Sequence, residues 1–170
     1  MLNLDLRPDL SVLAPGEPAV RHLIARLQAD RLPGQAESPP LDLALVVDTS
    51  GSMGGRPLAA ALEAAAGVIR RLDDEDRLTL VTFDSMSRIH HASLVMSPAG
   101  RELALGTLRH LGAGGGTALS GGYQAAAEQL LSSEAPAGRR KHLLLLSDGY
   151  ANIGVHEPGA LGELAAELLR

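Results

Sequence analysis

The chain has 170 residues, 45% hydrophobic but only 2% aromatic, with a formal net charge of −5 at pH 7. That is long enough for one domain with a real core of Leu, Val and Ala, while the acidic balance and scarce rings argue against nucleic-acid binding, which needs a basic face and stacking aromatics. Cysteine is absent, so disulfides and thiolate metal sites are excluded.

The first 40 residues read as an arm separate from the rest of the chain. Leu2, Leu4 and Leu6 alternate with polar residues and predict a strand. Pro15-Gly16-Glu17-Pro18 is turn chemistry. Val20 to Leu27 predicts a second strand, with helix as the competing assignment, and residues 31–40 are a proline-rich linker. Met1-Leu2-Asn3-Leu4-Asp5 lacks the basic segment and apolar core of a secretory signal, so a cytoplasmic location is the expectation. The apolar runs are too short to span a membrane.

Leu43-Ala44-Leu45-Val46-Val47 runs without a break into Asp48. Such a run predicts a strand buried on both faces, as in the middle of a parallel sheet. Ligands of open α/β sheets bind at the carboxyl ends of the strands. There the sequence places Asp48-Thr49-Ser50-Gly51-Ser52-Met53, with oxygen-bearing side chains at alternate positions. Residues Arg56 to Leu72 carry one apolar stripe, Leu58, Leu62, Ala65, Ile69 and Leu72, and predict a helix with Pro57 in its first turn. Its positive end would face Asp48.

Asp73-Asp74-Glu75-Asp76 lacks the glycine turn and spacing of a calcium loop and is expected to be a solvated connection. Arg77 to Phe83 predicts a strand, Asp84 to Ser87 a turn, and Arg88 to Val95 an antiparallel partner at the sheet edge. His90 and His91 would point to opposite faces, so they cannot share a metal. Ser97-Pro98 opens a helix to about Leu111. Gly112-Ala113-Gly114-Gly115-Gly116 then presents Thr117. No G-x-x-x-x-G-K-[ST] pattern is present, which argues against a nucleotide cradle. Leu119 to Ser133 predicts a helix with Leu119, Tyr123, Ala126 and Leu130 on one face. Arg139-Arg140-Lys141 is expected to be a solvated approach to a second buried strand, Leu143 to Leu146, ending in Ser147-Asp148-Gly149. Tyr150 to Gly154 predicts a loop, and Glu157-Pro158 begins a last helix running to Arg170.

Asp48, Ser50 and Ser52 are hard oxygen donors that a turning loop can aim at one point. That chemistry favours Mg²⁺, Mn²⁺ or Ca²⁺ over zinc or copper. On these residues alone, an ordinary strand-to-helix turn with Ser or Asp as N-cap is an equal alternative. Thr117 and Asp148 shift the balance, because two carboxylates in one cleft repel and a divalent cation relieves that cost.

D-T-S-G-S-M, then G-G-T, then S-D-G together resemble the von Willebrand factor A domain family, bacterial type, over about residues 41–170. The resemblance implies an α/β fold, Rossmann-like, with a doubly wound, mostly parallel sheet and flanking helices. It also implies a metal-ion-dependent adhesion site made by Asp48, Ser50, Ser52, Thr117 and Asp148, the acids acting directly or through water. Mg²⁺ is the first choice of cation, and a partner protein's Asp or Glu would take the open position. A typical member continues with another strand, a helix and often a further strand. The 41–170 domain is therefore expected to be incomplete at its C-terminus, its exposed edge inviting self-association or a chain that completes the sheet. Bacterial proteins of this kind often flank the domain with β-rich segments, so the arm is expected to start a small β-sandwich completed by a partner or by further C-terminal sequence, with extension of the domain's own sheet as the alternative.

The expected function is therefore a non-enzymatic, metal-dependent protein-binding module. One alternative is a Mg²⁺-dependent phosphate-transferring hydrolase with Asp48 as nucleophile. Phosphatases of similar layout carry a second acid two residues after the first, where this chain has Ser50. Another alternative is a scaffold in which the metal is purely structural.

Overall fold

The computed structural model describes residues 2–8, 23–29, 39–132, 136, 138–155, 157, 159–160 and 162–163. The chain divides into two units, Met1–Ser38 and Pro39–Arg170. In the first, β1 (Leu2–Pro8) pairs antiparallel with β2 (Leu23–Ala29), in a register running from Leu2 opposite Ala29 to Pro8 opposite Leu23. The second segment is thus a strand, not a helix. The expected turn at Pro15–Pro18, the start of that segment at Val20 to His22, and the linker from 31 to 38 lie outside the described residues.

The second unit is a sheet of four strands in the order β5-β4-β3-β6, with β3 at Leu41–Asp48, β4 at Arg77–Phe83, β5 at Ser87–Val95 and β6 at Arg140–Leu146. β3 is parallel to both its neighbours, and β5 runs antiparallel to β4 along one edge. The unbroken apolar run of β3 is buried on both faces: Ala44, Leu45, Val46 and Val47 have no exposed surface. Leu43, Leu45 and Val47 pack on one side with Leu58, Ala65 and Ile69 of α1 (Arg56–Ile69) and with Ala104 and Leu108 of α2 (Pro98–Leu108). Ala44 and Val46 pack on the other with Ala126 and Leu130 of α3 (Leu119–Ser132). Helices on both faces of a mostly parallel sheet are the doubly wound α/β arrangement.

The helices start where their chemistry allows. α1 carries Pro57 in its first turn, where a missing N–H costs nothing. α2 is capped by Ser97, whose hydroxyl accepts from the Gly100 N–H at 3.2 Å. It ends at Leu108, three residues before the expected Leu111. α3 lies close to the sheet because Gly122 has no side chain: a Cβ there would stand 2.5 Å from Cδ1 of Phe83.

Three expectations need correction. Asp76 is not solvated. It is 7% exposed, and its carboxylate accepts from the N–H of Leu41 at 2.7 Å and of Asp73 at 2.8 Å. A strand's first amide needs an acceptor, and Asp76 supplies it. Arg139 is not a solvated approach either. Its guanidinium pairs with buried Asp42 and donates to the carbonyls of Leu41 (3.1 Å) and Glu75 (2.7 Å), while the Lys141 ammonium donates to Leu130 O. Finally, Leu143 to Leu146 are only half-buried. β6 is an edge strand among the described residues, so one of its sides lacks the neighbouring strand that β3 has on both. Residues 159–160 and 162–163 are helical, Glu157 lies in a bend before them rather than in the helix expected to begin there, and the other residues of that helix lie outside the described residues. No described helix is long and apolar enough to cross a membrane.

Candidate metal centre

The carboxyl ends of β3 and β6 and the glycine loop before α3 form one hydrogen-bonded surface. Asp48 is the last residue of β3 and is wholly buried. Its Oδ1 accepts from the Ser50 N–H at 2.9 Å, and its Oδ2 accepts from the Ser147 hydroxyl at 2.6 Å. Thr49 fastens the turn to β4, its N–H and hydroxyl both donating to Phe83 O, at 2.8 and 3.1 Å. Ser50 is fully buried and Ser52 exposed, with their hydroxyl oxygens 3.2 Å apart.

Neither serine is spent on capping. Ser50 precedes the short 3₁₀ turn Gly51–Met53 without a side-chain cap bond, and α1 is capped by Gly55. The N-cap alternative therefore does not describe these hydroxyls.

Thr117 is 2% exposed. Its loop is tied to the Asp48 turn by Gly114 N–H to Thr49 O (2.9 Å) and Gly51 N–H to Gly115 O (3.0 Å). Gly115 has φ 73°, a left-handed conformation that favours glycine. The same loop is tied to the β4–β5 turn by Gly116 N–H to Ser85 Oγ (2.8 Å) and Ala118 N–H to Asp84 O (2.7 Å). Asp148 is exposed, and its Oδ1 accepts from the Tyr150 N–H at 3.2 Å. It lines a depression of about 310 Å³ with Met53, Pro57, Ala61 and residues 145–147.

Direct hydrogen bonds thus join Asp48, Ser50 and Ser52. Thr117 and Asp148 come to the same end of the sheet through loop contacts, with no hydrogen bond from their side chains to those three. Two polar residues in the network were not singled out from sequence, Ser147 beside Asp48 and Asn152 beside Thr117. Ser147 lies inside the S-D-G motif, and Asn152 in the loop after it.

The donor set suits a hard divalent cation. Neighbouring oxygens in an octahedral Mg²⁺ shell stand about 3 Å apart, given Mg–O bonds of about 2.0–2.1 Å. The 3.2 Å between the two serine hydroxyls is close to that. Each oxygen of Asp48 accepts one hydrogen bond and keeps a further lone pair. No group of three or more His, Cys, Asp or Glu able to hold a metal occurs among the described residues. A cation here would rest on two carboxylates and three hydroxyls. His90 and His91 lie elsewhere, bonded at 2.8 Å to Thr82 and to Thr107 of α2 respectively.

The profile of the von Willebrand factor type A domain matches residues 42–166, most of the chain. The chain belongs to that family. An uncharacterised protein of Synechocystis is 32% identical over 154 residues, covering 85% of this chain and 35% of that protein. Human inter-alpha-trypsin inhibitor heavy chain H4 is 30% identical over 130 residues, covering 72% of this chain and 14% of that one. The chain thus spans about a third or less of these relatives. Among solved structures, a von Willebrand factor type A protein from Catenulispora acidiphila superposes with a TM-score of 0.60 at 23% identity, over 97% of this chain and 37% of that one. The von Willebrand domain of the type V pili tip protein Mfa5 from Porphyromonas gingivalis gives 0.55 at 27% identity, over 68% and 40%.

Proposed function

We propose that this von Willebrand A domain is a non-enzymatic, metal-dependent protein-binding module. Asp48, Ser50, Ser52, Thr117 and Asp148 hold a divalent cation, Mg²⁺ ahead of Mn²⁺ or Ca²⁺. An Asp or Glu of a partner protein completes its shell. The observation that carries this reading is the pair of serine hydroxyls 3.2 Å apart beside the buried Asp48, with no capping role. The bound cation would supply positive charge to attract a carboxylate. The protein's part is to hold the oxygens. The Ser50 amide and Ser147 hydroxyl fix Asp48, and the exposure of Ser52 and Asp148 leaves one side open to a ligand. The similarity to a pilus tip protein fits an adhesive role.

The test uses Mn²⁺ as a paramagnetic probe on EDTA-stripped protein. Water relaxation should report a bound Mn²⁺ with exchangeable water, and added acetate should displace that water. Ser50→Ala should show no site. Bound Mn²⁺ whose water acetate leaves untouched would sink the binding-module reading and favour a structural metal.

A further inference from the structure

Thr117 belongs to no helix or strand, so its position depends on what the loop touches. The polar partners of its backbone come from a second loop. The Thr117 N–H donates to Asn152 Oδ1 at 2.8 Å, and Thr117 O accepts from the N–H groups of Asn152 and Ile153, both at 3.1 Å. Asn152 therefore grips Thr117 on both sides, its side chain on the amide and its backbone on the carbonyl. Gly116 makes the approach possible, because a Cβ there would stand 2.5 Å from Ile153 Cδ1 and 3.3 Å from Asn152 Oδ1. The Val155 N–H extends the seam by donating to Ser120 Oγ at 3.2 Å.

We propose that Asn152 is a positioning residue that holds the Thr117 hydroxyl in place for the cation. This rests on the metal-site reading above. Fixing the peptide groups on both sides of Thr117, one through its N–H and the other through its C=O, restricts both dihedrals of the residue, and with them the direction of its Cα–Cβ bond. The stretch from Ser147 to Asn152 then serves three of the five metal positions. Ser147 orients Asp48, Asp148 is itself a candidate ligand, and Asn152 sets Thr117. Groups that orient metal ligands from behind typically change metal affinity by about 10–100-fold when removed.

The test is a cycle of Mg²⁺ titrations on EDTA-stripped full chain: parent, Asn152→Ala, Thr117→Ala and the double variant, each with its metal-free melting temperature. Asn152→Ala should raise the Mg²⁺ Kd at least tenfold. The double variant should bind no worse than Thr117→Ala, because a residue acting through Thr117 has nothing left to lose. An Asn152→Ala Kd equal to the parent's, or losses that multiply in the double variant, would overturn the assignment. A parent that binds no divalent cation would instead remove the metal reading and this inference with it.

A second readout needs no metal. In EDTA, hydrogen exchange at the Thr117 amide should be slow in the parent and in Asn152→Asp, which keeps the acceptor oxygen, and fast in Asn152→Ala. Equal protection in parent and Asn152→Ala, or its loss in Asn152→Asp, counts against the grip.

Discussion

Asp48 takes one hydrogen bond on each carboxylate oxygen, from the Ser50 amide and the Ser147 hydroxyl. The first is local and readable from D-x-S-x-S. The second joins residues 99 positions apart, so nothing in the spacing could announce it. Asn152 was hidden for the same reason, since it matters only once its loop meets the glycine loop. Ser147→Ala should weaken Mg²⁺ binding about tenfold and also lower the metal-free melting temperature, because Oδ2 of the buried Asp48 loses its donor; calorimetry and a thermal scan would check both. The histidines carry a separate expectation. Burial holds His90 below its ordinary pKa of 6.5, helped by the positive charges of His91 and Arg88, and burial does the same for His91. The unfolded chain then binds more protons just below pH 6.5, so stability falls as pH drops through 6.5 towards the lower folded values. In thermal scans between pH 7.5 and 5.5, replacing both with Gln should make that fall shallower. An unchanged slope would contradict the assignment.

The elements themselves were legible because their signals are local in the sequence. An unbroken apolar run gave β3, and a stripe at helical spacing gave α1. The strand and helix around the edge hairpin followed from a turn and a Ser-Pro start. β6 showed the limit: four leucines look the same whether a strand is flanked on one side or on two, and its neighbours lie outside the sequence signal. The packing of α3 was equally hidden. Gly122 is an unremarkable helix residue in sequence, yet it sits against the chain's one phenylalanine. Gly122→Ala would gain about 1 kcal/mol in helix propensity. Against that, its Cβ would fall 2.5 to 2.9 Å from Cδ1, Cγ and Cβ of Phe83, a wholly buried side chain whose Cβ moves only with the strand. Overpacking costs about 1–3 kcal/mol, so the clash should win and urea unfolding should show a lower midpoint. A raised midpoint would mean that α3 shifts freely.

At the scale of the second unit, the sheet is fastened at both ends by polar groups that composition does not reveal. At the amino ends of the strands, Asp76 receives the first amide of β3, and Arg139 joins Asp42, Leu41 O and Glu75 O. Both Asp42 and Arg139 are nearly enclosed, with side-chain exposures of 4% and 9%. Arg139→Ala would leave a buried carboxylate unpaired and should cost about 3–5 kcal/mol. Pairing it with Asp42→Leu should recover much of that loss in denaturant unfolding. At the carboxyl ends, the fastened loops carry the hydroxyls and carboxylates to one end of the sheet, and the central claim is that they hold a cation. The most direct measurement is the melting temperature in EDTA and in excess Mg²⁺, for the parent and for Ser50→Ala. Mg²⁺ at about a hundred times its Kd should add about 2.7 kcal/mol, a rise of roughly 5–10 °C for a domain of this size. The rise should appear in the parent and be absent in Ser50→Ala. An equal rise in both proteins, or none in the parent with Mg²⁺, Mn²⁺ or Ca²⁺, would contradict the account.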